Sequence, residues 1–74
     1  MYEIGNVCRL RHAGWKENII QQDVEVIITN INLTEEYPYR VKSLNPYEPL
    51  LETPLMNIYS VNTKEEGLIY VRSK

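Results

Sequence analysis

The chain has 74 residues, with ten acidic and eight basic side chains and a formal net charge of −2. This length fits one small domain over residues 1–74, which buries only about 60% of the surface that its unfolded chain would expose. A single cysteine excludes an internal disulfide, and a lone histidine near it excludes a zinc site built from four such ligands. The acidic balance argues against nucleic-acid binding, which usually depends on a basic face.

The start of the chain and its cysteine content predict a cytoplasmic protein. Residues 1–12 hold no basic segment followed by an apolar run, so they do not resemble a signal peptide. No apolar stretch approaches the roughly 18–20 residues needed to cross a bilayer. An unpaired cysteine fits a reducing compartment. We therefore expect a cytoplasmic protein without membrane contact.

Short runs of β-branched and aromatic residues predict a mainly β fold. In the first run, residues 6–11, Cys8 and Leu10 fall on one face and Arg9 and Arg11 on the other, because side chains alternate along a strand. The pair at positions 13 and 14, alanine and glycine, then predicts a turn.

The second run, residues 23–31, is the strongest strand pattern in the chain. Its second face is only half polar, since Ile27 and Ile31 alternate there with Glu25 and Thr29. Such a face is expected to be covered by a loop, a terminus or a partner chain. The inward-facing set is expected to be Val24, Val26 and Ile28.

Residues 32–36 predict a hairpin tip, and residues 37–44 a returning strand. In that strand Arg40 and Lys42 should face solvent, alternating with Tyr39 and Val41. Pro38 cannot donate a ladder hydrogen bond, so it should lie at the start of the strand or on an edge.

Three prolines interrupt residues 45–55, and their spacing predicts a long excursion that excludes a strand and permits at most one helical turn. Leu50, Leu51 or Leu55 should pack this excursion against the core. Two more strands are predicted at residues 58–61 and 68–71, with a turn over residues 62–67. Five short strands in this length predict a small antiparallel barrel.

The opening stretch YEIGNVCRLR, residues 2–11, resembles the first strand of Src-homology-3-like (SH3-like) and Tudor-like small barrels, in which a Gly-Asp-x-Val pattern follows a hydrophobic residue. Residues 24–27 and 37–41 resemble the second and third strands of that group, which occurs in many short phage and bacterial proteins. Asn6 stands where aspartate is usual, and the proline-rich stretch replaces a short connection. The resemblance implies a five-stranded antiparallel SH3-like barrel with a proline-rich loop between the third and fourth strands, and a binding module rather than an enzyme.

The sequence predicts no catalytic residues, no metal site and no cofactor. Cys8 and His12 are four positions apart, about 13 Å along a strand, which is too far for a nucleophile and its base. The acidic pairs at residues 35–36 and 65–66 fall in predicted turns, where charge usually serves solvation. The three glycines are isolated from one another and form no phosphate loop.

Six tyrosines, one tryptophan and no phenylalanine form an unusual set for a buried core. Tyrosine combines an apolar ring with a polar tip and is enriched at interfaces, which favours an exposed aromatic surface around the proline-rich loop. The alternative is that one or two of these tyrosines are core residues with satisfied hydroxyls. The predicted partner-binding residues are Trp15, Ile27, Ile31, Tyr37, Tyr39, Tyr47 and Tyr59.

Two functional hypotheses follow. The first is a protein-binding module that docks on a larger protein, such as a host enzyme or a nucleic-acid-binding protein, and modulates or inhibits it. Small stand-alone barrels of this kind resemble phage-encoded proteins that disable or redirect a host enzyme. An acidic edge at Asp23, Glu25 and residues 35–36 would address a basic partner, and a homodimer through Ile27 and Ile31 belongs to the same class. The alternative is a nucleic-acid-binding protein, in which a base-stacking tryptophan lies beside cations. Its predicted residues are Arg9, Arg11, Trp15, Arg40 and Lys42.

Overall fold

The computed structural model describes residues 1–11 and 24–74. The predicted turn at positions 13 and 14 therefore lies outside the described residues, as do His12, Trp15 and Asp23. The strands are β1 (Asn6–Leu10), β2 (Val24–Ile31), β3 (Tyr39–Ser43), β4 (Leu51–Glu52), β5 (Asn57–Ile58), β6 (Ser60–Thr63) and β7 (Leu68–Ser73), with a short 3-10 turn at Glu65–Gly67. The mainly β prediction is confirmed.

Five of these strands form one antiparallel sheet in the order β6-β3-β2-β1-β7, and β4 pairs with β5 in a separate hairpin. The first strand thus lies between the second and the last. β6 and β7 are the two edges of the sheet, and no ladder joins them within the described ranges 1–11 and 24–74. Among these residues, no helix is long and apolar enough to span a bilayer.

A tight turn leads the chain into β1. The Asn6 amide donates to the Glu3 carbonyl at 3.1 Å, and the Asn6 side-chain oxygen accepts from the Glu3 amide at 2.9 Å. Gly5 has a φ of 93°, which a side chain would disfavour and which the third residue of a type II turn requires. Its amide donates to the Ile28 carbonyl, so the turn is fixed against β2.

The core lies on one face of the sheet and follows the alternation predicted for β1 and β2. Cys8 and Leu10 are fully buried there, together with the three predicted residues of β2. Leu50 closes the cluster from the proline-rich excursion. The buried cluster comprises Cys8, Leu10, Val24, Val26, Ile28, Tyr39, Val41, Leu50, Val61 and Leu68.

A bulge in β2 corrects the predicted position of Ile31. The register with β3 shifts between Ile28 and Asn30, because β2 contains one extra residue there relative to β3. The side chains of β2 after this bulge therefore point to the opposite face from the one that strict alternation would give. Ile31 pairs with Tyr39 and packs against the core, rather than sharing the outer face with Ile27. A strict two-residue period could not reveal this shift.

The proline-rich excursion also differs from its prediction. β4 lies within it, because a two-residue strand fits between Pro49 and Pro54 without placing either proline in the ladder. The predicted strand over residues 58–61 is divided at Tyr59 into β5 and β6. Of the three candidate anchoring leucines, Leu50 and Leu51 are buried, whereas Leu55 is 94% exposed.

Candidate functional site

The sheet has a second face, turned away from the core, and one row of side chains crosses it. In register, Arg72 lies opposite Val7, Val7 opposite Ile27, and Ile27 opposite Lys42. These positions alternate with the core residues of the same strands, so they occupy what we call the outer face. Val7 is fully buried although it points away from the core cluster.

The outer face is basic, although the chain as a whole is acidic. Arg9, Arg40, Lys42 and Arg72 all occupy outward positions of β1, β3 and β7. In the strands described, Glu25 is the one carboxylate on this face, opposite Arg9 and 3.7 Å from the Arg72 guanidinium. The other described acidic residues lie in turns, on loops or in the β4–β5 hairpin. Basic and acidic residues are intermixed along the sequence, but strand alternation places these four cations on one face and leaves most of the described carboxylates in turns and loops.

A groove of about 420 Å³ opens beside Ile27 and Lys42 on this face. We call it the sheet-end groove. Apolar atoms come from Ile27 and Tyr59, of which the first is half-buried and the second 40% exposed. Its lining residues are Ile27, Lys42, Ser43, Leu44, Pro46, Tyr59 and Lys74.

Hydrogen bonds fix the walls of the sheet-end groove. The Ser43 amide donates to the Tyr59 carbonyl at 2.8 Å, and the Leu44 amide donates to the Glu25 carbonyl at 3.0 Å. The buried Ser43 hydroxyl lies 2.7 Å from the Asn45 carbonyl and 2.6 Å from the Glu48 carbonyl, which holds the start of the excursion against the end of β3. The groove is therefore preorganised, so binding would require little ordering of its walls.

A second cavity, of about 450 Å³, lies at the β2–β3 hairpin tip and is polar. Its side chains largely satisfy one another: Arg40 donates to the Asn62 side chain at 3.1 Å, and the Asn32 side chain accepts from the Thr34 hydroxyl at 2.7 Å. Tyr37 lies at its rim, beneath the Lys64 ammonium at 5.1 Å from the ring centroid. These contacts are those expected of a self-stabilised hairpin tip.

Three tyrosines, Tyr2, Tyr39 and Tyr70, form a cluster at the edge of the core. The Tyr2 ring packs edge-on against Tyr39 and stacks on Tyr70, with centroids 5.7 and 6.4 Å apart. The Tyr39 hydroxyl donates to the Glu65 carboxylate, and the Tyr2 hydroxyl to the Leu68 carbonyl, each at 3.2 Å. Burial raises the pKa of Tyr2 and of Tyr39, and nearby Glu65 adds to both shifts. This cluster stabilises the fold.

The tip of the β4–β5 hairpin presents apolar side chains to solvent. The Thr53 hydroxyl donates to the Met56 carbonyl at 2.7 Å and accepts from the Met56 amide at 3.0 Å. This small network holds Leu55 and Met56 in an ordered turn while both remain largely exposed. Exposed apolar side chains on an ordered turn are suited to contact with another macromolecule.

In the described part of the chain, no group of three or more His, Cys, Asp or Glu side chains could hold a metal ion. Cys8 is a free, buried thiol whose pKa is raised by burial, which makes it a poor nucleophile at neutral pH. No family model, curated protein or solved structure matches this chain.

The structure divides the predicted partner-binding residues. Ile27 and Tyr59 come together in the sheet-end groove, whereas Tyr47 is 89% exposed on the excursion. Tyr37 lies at the hairpin tip, away from both. Tyr39 is only 1% exposed, so its expected place in an exposed aromatic surface is wrong, although strand alternation had put it opposite the solvent-facing Arg40 and Lys42. Ile31 is half-buried and packs against the core rather than on the outer face. Trp15 is outside the described residues.

The predicted nucleic-acid-binding residues are less dispersed. Arg9, Arg40 and Lys42 share the outer face, and Arg11 is exposed just beyond β1. The residues of the predicted acidic edge do not lie together. Glu25 lies among these cations, whereas Glu35 and Glu36 line the cavity at the hairpin tip.

Sequence reasoning missed Leu44, Pro46 and Lys74 of the groove. They are separated in sequence from Ile27 and meet it only through the pairing of β3 with β2 and of β7 with β1. The alternation of the last strand could have indicated that Arg72 joins the other outward cations.

Proposed function

We propose that the chain is a non-catalytic binding module that docks on a larger protein through the sheet-end groove. The groove carries this proposal because it combines an exposed apolar lining with walls fixed by backbone hydrogen bonds. Concave, largely preformed and partly apolar sites of this kind are where proteins bind ligands and peptide segments. The exposed turn at Leu55 and Met56 offers a further apolar contact.

We assign the fold to the SH3-like small barrels as part of the same proposal. Three features support it: the glycine turn before β1, the position of β1 between β2 and β7, and the 3-10 turn immediately before β7. The order of the strands is the one expected when the first and last strands of such a barrel are paired. A regulatory role, modulating or inhibiting the partner in the manner of phage-encoded barrels, rests on this resemblance. The free, buried thiol of Cys8 supports a cytoplasmic location.

Capture from a bacterial lysate with matched variants tests the proposal. The full chain and its Tyr59→Ser and Tyr47→Ser variants are immobilised, and the lysate is applied both with and without nuclease treatment. Tyr59 lines the groove and Tyr47 does not, although both side chains are exposed. We expect a stoichiometric protein that is retained by the full chain and by Tyr47→Ser, and lost from Tyr59→Ser. Recovery of nucleic acid alone, from samples not treated with nuclease, would refute the proposal.

The basic outer face favours a second candidate function, the binding of nucleic acid. Cations at Arg9, Arg40 and Lys42 lie on one surface, as a phosphate backbone requires. If this function operates, affinity for a single-stranded oligonucleotide will fall steeply with added salt. Arg9→Gln will weaken it more than Lys64→Gln, whose ammonium lies over Tyr37 rather than on the outer face.

A further inference from the structure

The charges around the sheet-end groove restrict what it can bind. Two lysines, Lys42 and Lys74, are among its lining residues, and no aspartate or glutamate is among them. Within the described part of the chain, neither lysine takes part in an ion pair, whereas the nearby Arg72 is paired with Glu25. The cationic charge of the groove is therefore available to a ligand.

The apolar part of the lining restricts the ligand further. Ile27, Leu44 and Pro46 offer aliphatic surface, against which a phosphate backbone gains little. Tyr59 is the single aromatic ring among the described lining residues, whereas strands of nucleic acid usually stack successive bases on several rings. The volume of about 420 Å³ is near the lower end for ligand pockets, which span about 300–1,000 Å³. It suits one or two side chains.

We propose that the sheet-end groove binds a short acidic segment of the partner protein. An apolar side chain of that segment packs between Ile27, Leu44 and Tyr59, and carboxylates beside it pair with Lys42 and Lys74. This inference rests on the proposed function and gives its partner a chemical class. It also reverses the expectation that the chain presents an acidic edge to a basic partner, because the strands place cations at this site.

The pairing of ligand carboxylates with the two lysines is favourable because these groups come into direct contact. The chain carries a net charge of −2, so an acidic ligand meets weak repulsion at long range. That repulsion is screened beyond about 8–10 Å at physiological ionic strength, whereas contacts with Lys42 and Lys74 are made at a few ångströms. Binding should therefore be specific for the groove and should weaken moderately with added salt.

A titration of the full-length 15N-labelled chain by NMR tests the inference with defined probes. The capped peptide DDILDD carries both features of the proposed ligand. NNILNN removes the charges, DDSSDD removes the apolar anchor, and a single-stranded oligothymidine represents nucleic acid. We expect DDILDD to give saturable amide shifts at Leu44 and Tyr59 with a Kd of about 1 mM or tighter. Each peptide control should bind at least several-fold more weakly.

Variants identify the contacts. Lys42→Gln should weaken DDILDD by about 2- to 5-fold and leave NNILNN unchanged, since an exposed ion pair contributes modestly. Arg40→Gln is the matched control, because Arg40 is an exposed cation of the same strand that lies outside the groove. An equal response to both substitutions would overturn the inference, as would equal binding of DDILDD and NNILNN or no saturable shift at all.

The outcomes separate this inference from the function on which it rests. If DDILDD fails but the Tyr59-dependent capture of a protein persists, the docking function stands and the acidic ligand is wrong. If both fail, both proposals fall. If oligothymidine shifts the groove amides and DDILDD does not, the acidic-segment inference is overturned in favour of the nucleic-acid function.

Discussion

Leu50 and Leu55 belong to the same proline-rich excursion, yet the fold assigns them opposite environments. Leu50 is 0% exposed and contacts the core cluster, whereas Leu55 is 94% exposed at the hairpin tip. Replacing each by alanine deletes the same atoms from the same segment. The pair therefore tests whether the excursion is a structural part of the core.

The expected magnitudes differ widely. Leu50→Ala removes buried apolar atoms and leaves a cavity, so it should lower the free energy of unfolding by about 2–4 kcal/mol. A 74-residue domain has a total stability of only about 4–11 kcal/mol, so this loss lowers Tm by roughly 10–25 °C. Leu55→Ala leaves no cavity and should change stability by less than about 0.5 kcal/mol.

Urea unfolding followed by far-UV circular dichroism measures both values. The substitution keeps the backbone hydrogen bond from the Leu50 amide to the Ile58 carbonyl, so the excursion should stay in place. The surface exposed on unfolding is then nearly the same for both variants, and the m-value should not change. A difference of less than about 1 kcal/mol between the two variants, or a larger loss for Leu55→Ala, would contradict the placement of Leu50 in the core.

Three further predictions concern the buried titratable groups and the first turn. Tyr39→Phe keeps the ring but removes the hydroxyl that donates to Glu65, so urea unfolding should show a loss of about 0.5–1.5 kcal/mol; no loss would mean that the hydrogen bond does not form. Burial raises the pKa of Cys8, Tyr2 and Tyr39, so the folded state favours their neutral forms. The stability they contribute is complete below their unfolded pKa values, about 8.5 for the thiol and 10 for the phenols, and declines as the pH rises above them. The urea midpoint should therefore fall in alkaline buffer, and less so in Tyr39→Phe; a constant midpoint would contradict the burial of these groups. Gly5→Ala should lower the free energy of unfolding by about 1–2 kcal/mol, measured by thermal or urea unfolding, because φ at this position is 93°. The cost comes from the backbone alone, since an added Cβ would meet no atom within 4 Å. An unchanged stability would argue against this backbone conformation.

Local patterning predicted the core-facing residues wherever a strand stayed regular. In β1 and in the first half of β2, apolar residues recur at every second position, and this period alone requires them to share a face. The glycine before β1 was likewise informative, since few other residues adopt the backbone angle that its turn needs.

The period failed at the bulge and within the excursion. Ile31 changed face because one extra residue enters β2 between two hydrogen-bonded positions, and nothing in a run of β-branched residues marks that insertion. In β3 the period held and Tyr39 lies on the inner face, where its ring packs against Tyr2 and its hydroxyl reaches Glu65, a partner 26 positions away. The expectation that failed there was the one drawn from the tyrosine count. Tyrosine content alone cannot distinguish such a residue from an exposed one.

By itself, the sequence determined the class of fold, the inward faces of β1 and of the first half of β2, and the absence of an internal disulfide, because these depend on residue type and on neighbours one or two positions away. The tertiary structure decided which distant side chains meet. Ile27, Leu44, Tyr59 and Lys74 form one groove only after β1 has paired with β2 and with β7, and β2 with β3. The same pairing gathers cations on the outer face of an acidic chain. Strand register is set by contacts between distant segments, so a site built from register cannot be read from any one of them.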